Sequence, residues 1–315
     1  MKQTPFDKQR QQRYDNKQRE FLLAIITDED DSSQVELDDG QTAWRSTLRY
    51  DELVREATGT YELHDIEEDD GGEHHLISLI AEGGRGAEFS ELVMFGKHLM
   101  TFDDRTGLVC EIRHQNQLVP RQILMTGSGD EKFKGFKSEW ATIKGNELIV
   151  GSHGKKPEEE WIKVIGRNYG LQSINWHDNY QALREAAGLG PEGYMVHEAA
   201  EWHPQLQKWL FFPRKISNQA FEPEHDENRC GSNKLFIVSE DFSDIQIIEV
   251  GEAIGERGVS SFKILPGFPN ECVALKSVEV GNRTETYFFA FDLQGNVLHA
   301  DTLIGHYKCE GIEIV

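Results

Sequence analysis

Five side chains recur at a spacing that would let them act together: Ser90, Glu139, Glu198, Ser260 and Glu310, separated by 49, 59, 62 and 50 residues. Each opens a short apolar run: "SELVMFGKHLMTFDD", "EWATIKGNELIVGSH", "EAAEWHPQLQKWLFFPRK", "SSFKILPGFPNECVALKS" and "EGIEIV". A carboxylate beside an apolar strand is costly unless it is exposed, paired or bound to a cation. Three carboxylates at one level would repel one another strongly if nothing lay between them. Hydroxyl and carboxylate oxygens gathered together are hard donors, the ligand set of Ca²⁺, which takes about six to eight oxygens in flexible geometry. Mg²⁺ is caged less fully by protein groups. The pattern therefore predicts a Ca²⁺ site built from Ser90, Glu139, Glu198, Ser260 and Glu310.

The elements that must position these residues are short strands. Runs such as 91–95, 98–102, 107–112, 147–151, 161–165, 208–212, 234–238, 245–250, 271–276 and 286–291 are β-type and broken by Gly, Asn, Asp or Pro. Helical periodicity is confined to a polar segment at about 8–20 and to "NYQALREAAGL" at 179–189. The repeat spacing matches four-stranded propeller blades, which occupy about 40–50 residues each. The fold class expected is all-β, a five-bladed β-propeller with the metal site in its central channel. The fifth unit stops five residues after Glu310. An open blade would expose unpaired backbone groups, so N-terminal strands, "FLLAIIT" and the runs through about 40–80, should complete it. The domain boundaries predicted are a polar extension over 1–20 and a single propeller over 21–315.

With 33 basic and 55 acidic residues, the formal net charge is −22. That balance argues against a nucleic-acid partner, which needs basic surface. If the ligand is an anion, something local must reverse the field. Four cysteines without a C-x-x-C pair predict buried thiols and neither a disulfide framework nor a structural zinc site. The N-terminus lacks an apolar signal core, and "FLLAII" is too short to span a membrane. The expectation is a soluble chain without a membrane partner, monomeric or weakly homodimeric. A Ca²⁺-dependent activity would fit a secretory or extracytoplasmic site if a signal had been removed. The chain has no G-x-x-x-x-G-K-[ST] loop and no G-x-S-x-G elbow. The sequon "NRT" at 282–284 matters only if the chain is secreted.

The motifs "SELVMFGKHLMTFDDRTG" (90–107), "KGFKSEW" (134–140), "GYMVHEAAEW" (193–202), "KWLFFPRK" (208–215), "VSSFKILP" (259–266), "VALKS" (273–277) and "EGIEIV" run nearly end to end. In kind and order the chain resembles the apyrase family, typified by soluble calcium-activated nucleotidases. The resemblance implies a five-bladed propeller that hydrolyses the terminal phosphate of nucleoside di- and triphosphates with Ca²⁺. It also implies that the five residues above hold the central calcium, the same positions the internal repeat reaches. Three stretches depart from the family pattern: "TDEDDSS" (27–33), "DENRCGSN" (226–233) and "KKPEEEW" (155–161). They bear on substrate preference rather than on reaction class.

Phosphoanhydride hydrolysis needs a metal, an acceptor for water and cationic contacts on phosphoryl oxygens. Asp28 and Asp104, at strand ends and matching acidic family positions, are the candidates to orient or deprotonate water. Asp30, Arg105, Lys137, His197 and Arg214 are the candidates to contact substrate. His197 adjoins Glu198, and strand alternation could turn it away from the axis instead. Asp103 could equally be a turn former in "DDRTG". The tryptophans read as blade core. Two other functions stay open on the residues alone: a non-catalytic Ca²⁺-stabilised binding propeller, and a propeller glycoside hydrolase using paired carboxylates.

Overall fold

The computed structural model describes residues 19–67, 71–130 and 134–315. The helix expected at about 8–20 falls mostly outside them, and residues 19 and 20 already belong to the first strand.

Five antiparallel sheets follow one another around a ring. Blade 1 runs Phe89–Phe95, His98–Asp103, Leu108–Arg113 and Gln117–Ile123. Blade 2 runs Trp140–Lys144, Glu147–Gly151, Trp161–Ile165 and Leu171–Asn175. Blade 3 runs Ala200–His203, Lys208–Phe211, Lys234–Ser239 and Ile245–Glu249. Blade 4 runs Gly258–Ile264, Glu271–Val280, Arg283–Asp292 and Val297–Gly305. In each the strands pair in sequence order, so the first strand is innermost. These inner strands touch in cyclic order, and the strand of Cys309–Ile314 touches both blade 4 and blade 1.

Blade 5 closes the ring as the truncated fifth repeat requires. Its inner strand is Cys309–Ile314, and the next is Arg19–Thr27, in register with Leu23 opposite Ile314 and Ile26 opposite Gly311. Thr42–Arg55 follows, and its outer edge pairs with both Tyr61–Asp65 and Glu73–Ser78. The two ends of the described chain thus share a sheet, which satisfies edges that would otherwise be open.

The apolar core is five clusters, one at each interface between neighbouring blades. The cluster between blades 2 and 3 is the aromatic one, with Trp140, Trp176, Trp202, Trp209 and Phe211. The expected helix at 179–189 is observed as His177–Ala186, ended by Gly188 at φ +71°. It lays Tyr180 and Leu183 on this cluster.

One close approach fixes that interface. Gly151 sits opposite Trp140 in the ladder, and a Cβ there would lie 1.9 Å from the indole ring. Trp140 is fully buried and donates its Nε1–H to Ser152 O at 3.1 Å. It cannot yield without breaking that bond. Gly151→Ala is therefore expected to cost about 1–3 kcal/mol or more, read as a lowered urea midpoint with unchanged slope.

Candidate active site and metal centre

The inner strands are irregular where the predicted ligands lie. In blade 1 the register jumps from Phe89–Asp103 to Leu92–Thr101, so Ser90 and Glu91 share one opposing residue. In blade 4 it jumps across Ser260, and in blade 5 across Glu310. Bulges re-aim side chains and are common beside functional sites. Glu139 and Glu198 instead sit just ahead of the inner strands of blades 2 and 3. All five predicted residues are buried.

The three glutamates converge through shared cations. His153 Nε2 lies 3.1 Å from a Glu139 oxygen and 3.0 Å from Glu198 Oε1. The Arg214 guanidinium contacts Glu198, Glu279 and Glu310, the last at 2.9 Å. Blades 3 and 5 are not neighbours, so Glu198 and Glu310 can share one cation only near the axis. Ser260 Oγ donates to Cys309 O at 2.9 Å, beside Glu310. Ser90 Oγ and Asp104 Oδ1 are buried without a hydrogen-bond partner, whereas Glu139 Oε1 is the oxygen that meets Lys137 and His153. Unsatisfied buried oxygens of this kind call for an explanation. Unpartnered hard oxygens beside further carboxylates suit a divalent cation such as Ca²⁺.

Charge states follow from burial against partners. Burial, together with Asp104 and Glu198, pushes the Glu139 carboxyl well above its ordinary range despite Lys137. Burial, with Asp28 and Glu198, does the same to Glu310 despite Lys308 and Arg214. Burial would raise Glu198 too, but Arg214 and His153 hold it below the usual carboxylate range. His153 is pushed down to about 3 by burial and by Lys137, so its ring is neutral near pH 7.

Glu139, His153, Glu198 and Glu310 line a cleft of about 380 Å³, whereas Ser90 and Ser260 are not among its lining residues. Its lining carries nine Lys or Arg against eight Asp or Glu, in a chain whose formal net charge is −22. The field reversal that an anionic ligand requires is therefore present locally. Lys137 lies between Asp104 and Glu139. Burial disfavours its ammonium, but those carboxylates hold its pKa well above the ordinary value. Lys308 is held likewise by Asp28 at 2.8 Å and Glu310 at 3.0 Å. Gly258 makes room for the Arg214 stem, since a Cβ there would lie 2.2 Å from Arg214 Cγ.

A family model described as Apyrase matches residues 29–315. The chain belongs to the Apyrase family. It is 39% identical over 306 residues to "Soluble calcium-activated nucleotidase 1" of Mus musculus, covering 94% of this chain and 74% of that one. It is 38% identical over 313 residues to "Apyrase" of Cimex lectularius, covering 94% and 82%. It is 36% identical over 314 residues to "Apyrase apy-1" of Caenorhabditis elegans, covering 95% and 86%.

Within this apyrase chain the remaining predicted residues divide. Asp30, Asp104, Arg105, Lys137 and Arg214 line the cleft. Asp104 meets Lys137 through Oδ2, while Oδ1 has no partner. Asp28 is not among the lining residues: Oδ1 accepts the Asp30 N–H at 2.9 Å and Oδ2 accepts Lys308. His197 is also absent from the lining. It is buried against Tyr180 and Phe211, with ring centroids 5.2 and 5.6 Å away. This placement lends no support to the expected substrate contact by His197: in the link 197–199 between two strands its ring packs on the aromatic cluster, while Glu198 lines the cleft. Asp103 is a turn cap, accepting the N–H groups of Ala87, Arg105 and Thr106.

Several cleft residues escape the sequence reading: Arg85, Glu88, His153, Glu279 and Lys308. Arg85 pairs with Glu88 and Asp30 at 2.7 and 2.8 Å. Lys308 carried a faint signal, two positions before Glu310. Glu91 was passed over as a strand residue, yet it accepts Ser261 Oγ at 2.9 Å and lies 3.4 Å from Lys263. Blades 1 and 4 are not neighbours, so this contact too crosses the axis. Among the described residues no helix is long and apolar enough to cross a membrane. All four cysteines are buried and free.

His197 yields a test. Its two ring nitrogens lack hydrogen-bond partners, and burial pushes its pKa down to about 3. A base with a lowered folded pKa contributes full stability above its unfolded value, near 6.5, and loses it as pH falls below that. His197→Leu is expected to retain activity. It should also remove up to about 2 kcal/mol of the stability lost between pH 7 and pH 5, measured by urea titration at both values.

Proposed function

We propose that the chain hydrolyses the terminal phosphoanhydride of nucleoside di- and triphosphates in a Ca²⁺-dependent reaction. One observation carries the reading beyond family membership: a net-cationic cleft in a strongly acidic protein, lined by the buried Glu139, Glu198 and Glu310 and by Asp104, whose Oδ1 lacks a partner. The relatives' printed names, calcium-activated nucleotidase and apyrase, agree with it.

Ser90, Glu139, Glu198, Ser260 and Glu310 are the residues proposed to hold Ca²⁺. When bound, such an ion would neutralise phosphate charge and polarise the phosphoryl group. The chain's own groups do the rest. Arg85, Arg105, Lys137, Arg214 and Lys308 present cations to phosphate oxygens, and Arg does so with a planar fork. Asp104, which lines the cleft and has Oδ1 unpartnered, orients the attacking water and takes up its proton. Asp28 has both oxygens committed, so it positions Lys308 and the Asp30 loop rather than meeting water. We therefore read Asp28, expected as a catalytic residue, as a positioning one.

Phosphate release from UDP, GDP, ADP and ATP tests this, each with Ca²⁺, Mg²⁺ or chelator. Release with Ca²⁺ and not with chelator is the expected result. Silence on every nucleotide while Ca²⁺ still raises the melting temperature would leave a binding propeller instead. Sugar release from an oligosaccharide would favour the glycosidase reading.

A further inference from the structure

A second cluster of ligand-type groups lies outside the channel. Residues 212–233 form a long connection between the second and third strands of blade 3, and they include the short helix Pro223–Arg229. At its C-terminal end His225, Asp226 and Cys230 bring one ligand atom each into a single group. Cys230 Sγ is 3.3 Å from Asp226 Oδ1 and 3.7 Å from His225 Nδ1, and Nδ1 to Oδ1 is 3.7 Å. Tetrahedral Zn²⁺ takes bonds of about 2.3 Å to sulfur and about 2.0–2.2 Å to nitrogen and oxygen, which puts neighbouring ligand atoms roughly 3.4–3.6 Å apart. The three observed edges bracket that value.

An independent observation points the same way. The buried Tyr194 hydroxyl lies against Asp226 and Cys230 without a well-aligned hydrogen bond to either. The His225 side chain is partly exposed, whereas Asp226 is buried. Asp226 is pre-oriented, since its Oδ2 accepts the Glu222 N–H at 2.7 Å and leaves Oδ1 for the cluster. Such outer bonds fix ligands in metal sites.

We propose that His225, Asp226 and Cys230 form a Zn²⁺ site, with Tyr194 or water at the fourth position. Binding displaces the thiol proton of Cys230 to solvent, and the thiolate coordinates the metal; no oxidation is involved. The thiolate and imidazole set selects a softer ion than Ca²⁺. The site pins a seven-residue helix too short to hold itself. It also anchors Cys230 O, which accepts the Ile216 N–H at 2.9 Å. Through that bond it braces the segment carrying Arg214, Lys215 and Phe221 into the cleft. The expectation from cysteine spacing, that no structural zinc site exists, looked for paired cysteines and so would miss a single cysteine with a nearby His–Asp.

The test uses the full chain stripped with chelator, then dialysed against Zn²⁺ alone or Co²⁺ alone. One zinc per chain is expected, retained against excess Ca²⁺. The Co²⁺ form should show a near-ultraviolet thiolate charge-transfer band and tetrahedral visible bands. Cys230→Ser should abolish that band and weaken Zn²⁺ binding by about 100-fold or more, with His225→Asn behaving similarly. A Co²⁺ spectrum of the unmutated chain without a thiolate band overturns the proposal, whether or not the variants fold. Equal zinc uptake by unmutated and Cys230→Ser chains does so as well.

Discussion

Glu139→Gln is expected to lower Ca²⁺-supported phosphate release by about 10²–10³-fold while leaving the metal-free fold intact. Glu139 is buried and meets Lys137 and His153 through Oε1. The amide keeps the shape but replaces one acceptor oxygen with a donor and removes the charge a divalent ion would need. Burial already disfavours ionisation of this carboxyl in the metal-free protein. A neutral isostere should therefore cost little there, because Lys137 keeps Asp104 as its partner. The distinguishing measurement is thermal unfolding with and without Ca²⁺. The variant should melt near the unmutated protein in chelator and lose most of the upward shift that Ca²⁺ gives. An unchanged Ca²⁺ response would remove Glu139 from the metal site.

The second large effect is expected at Arg214. This guanidinium is 3% exposed and contacts Glu198, Glu279 and Glu310. Arg214→Ala leaves those carboxylates facing one another without it, and breaking such a buried pair costs about 3–5 kcal/mol. Ca²⁺ binding beside the same carboxylates should recover part of the loss, so the variant's melting temperature should depend on Ca²⁺ more steeply than that of the unmutated chain. Phosphate release should stay low even with Ca²⁺, because the cationic fork toward the phosphate is gone. Arg214→Lys should restore charge but not the three-way contact, and should fall between the two. A variant as stable as the unmutated protein in chelator would show that Glu198 and Glu310 do not depend on this cation.

Much of the architecture was legible because a propeller is a local code repeated. Each blade needs short strands, turns and one inward residue per inner strand, and all of these recur at measurable spacing. The truncated fifth repeat likewise announced that N-terminal strands must close the ring, and Ile26 opposite Gly311 is that closure. The Ser and Glu positions were readable for the same reason. Their bulges at Ser90, Ser260 and Glu310 were not, since a bulge inserts one residue without altering the apolar pattern around it.

What the sequence by itself determined was therefore the repeat, the blade count and the level at which polar groups meet the axis. The tertiary structure decided which charge answers which. Lys308 reaches Asp28 from 280 positions away, Arg214 reaches Glu310 from 96, and Ser261 meets Glu91 across 170. No local pattern encodes such pairs: the first forms only when the ends of the described chain pair within blade 5, and the other two only when non-adjacent blades converge on one axis. Packing between blades 2 and 3 set His197 against Tyr180 and Phe211, and the closing of blade 5 committed Asp28 to Lys308. Periodicity is written in the chain, whereas the neutralisation of buried charge depends on distances that exist only after the ring has closed.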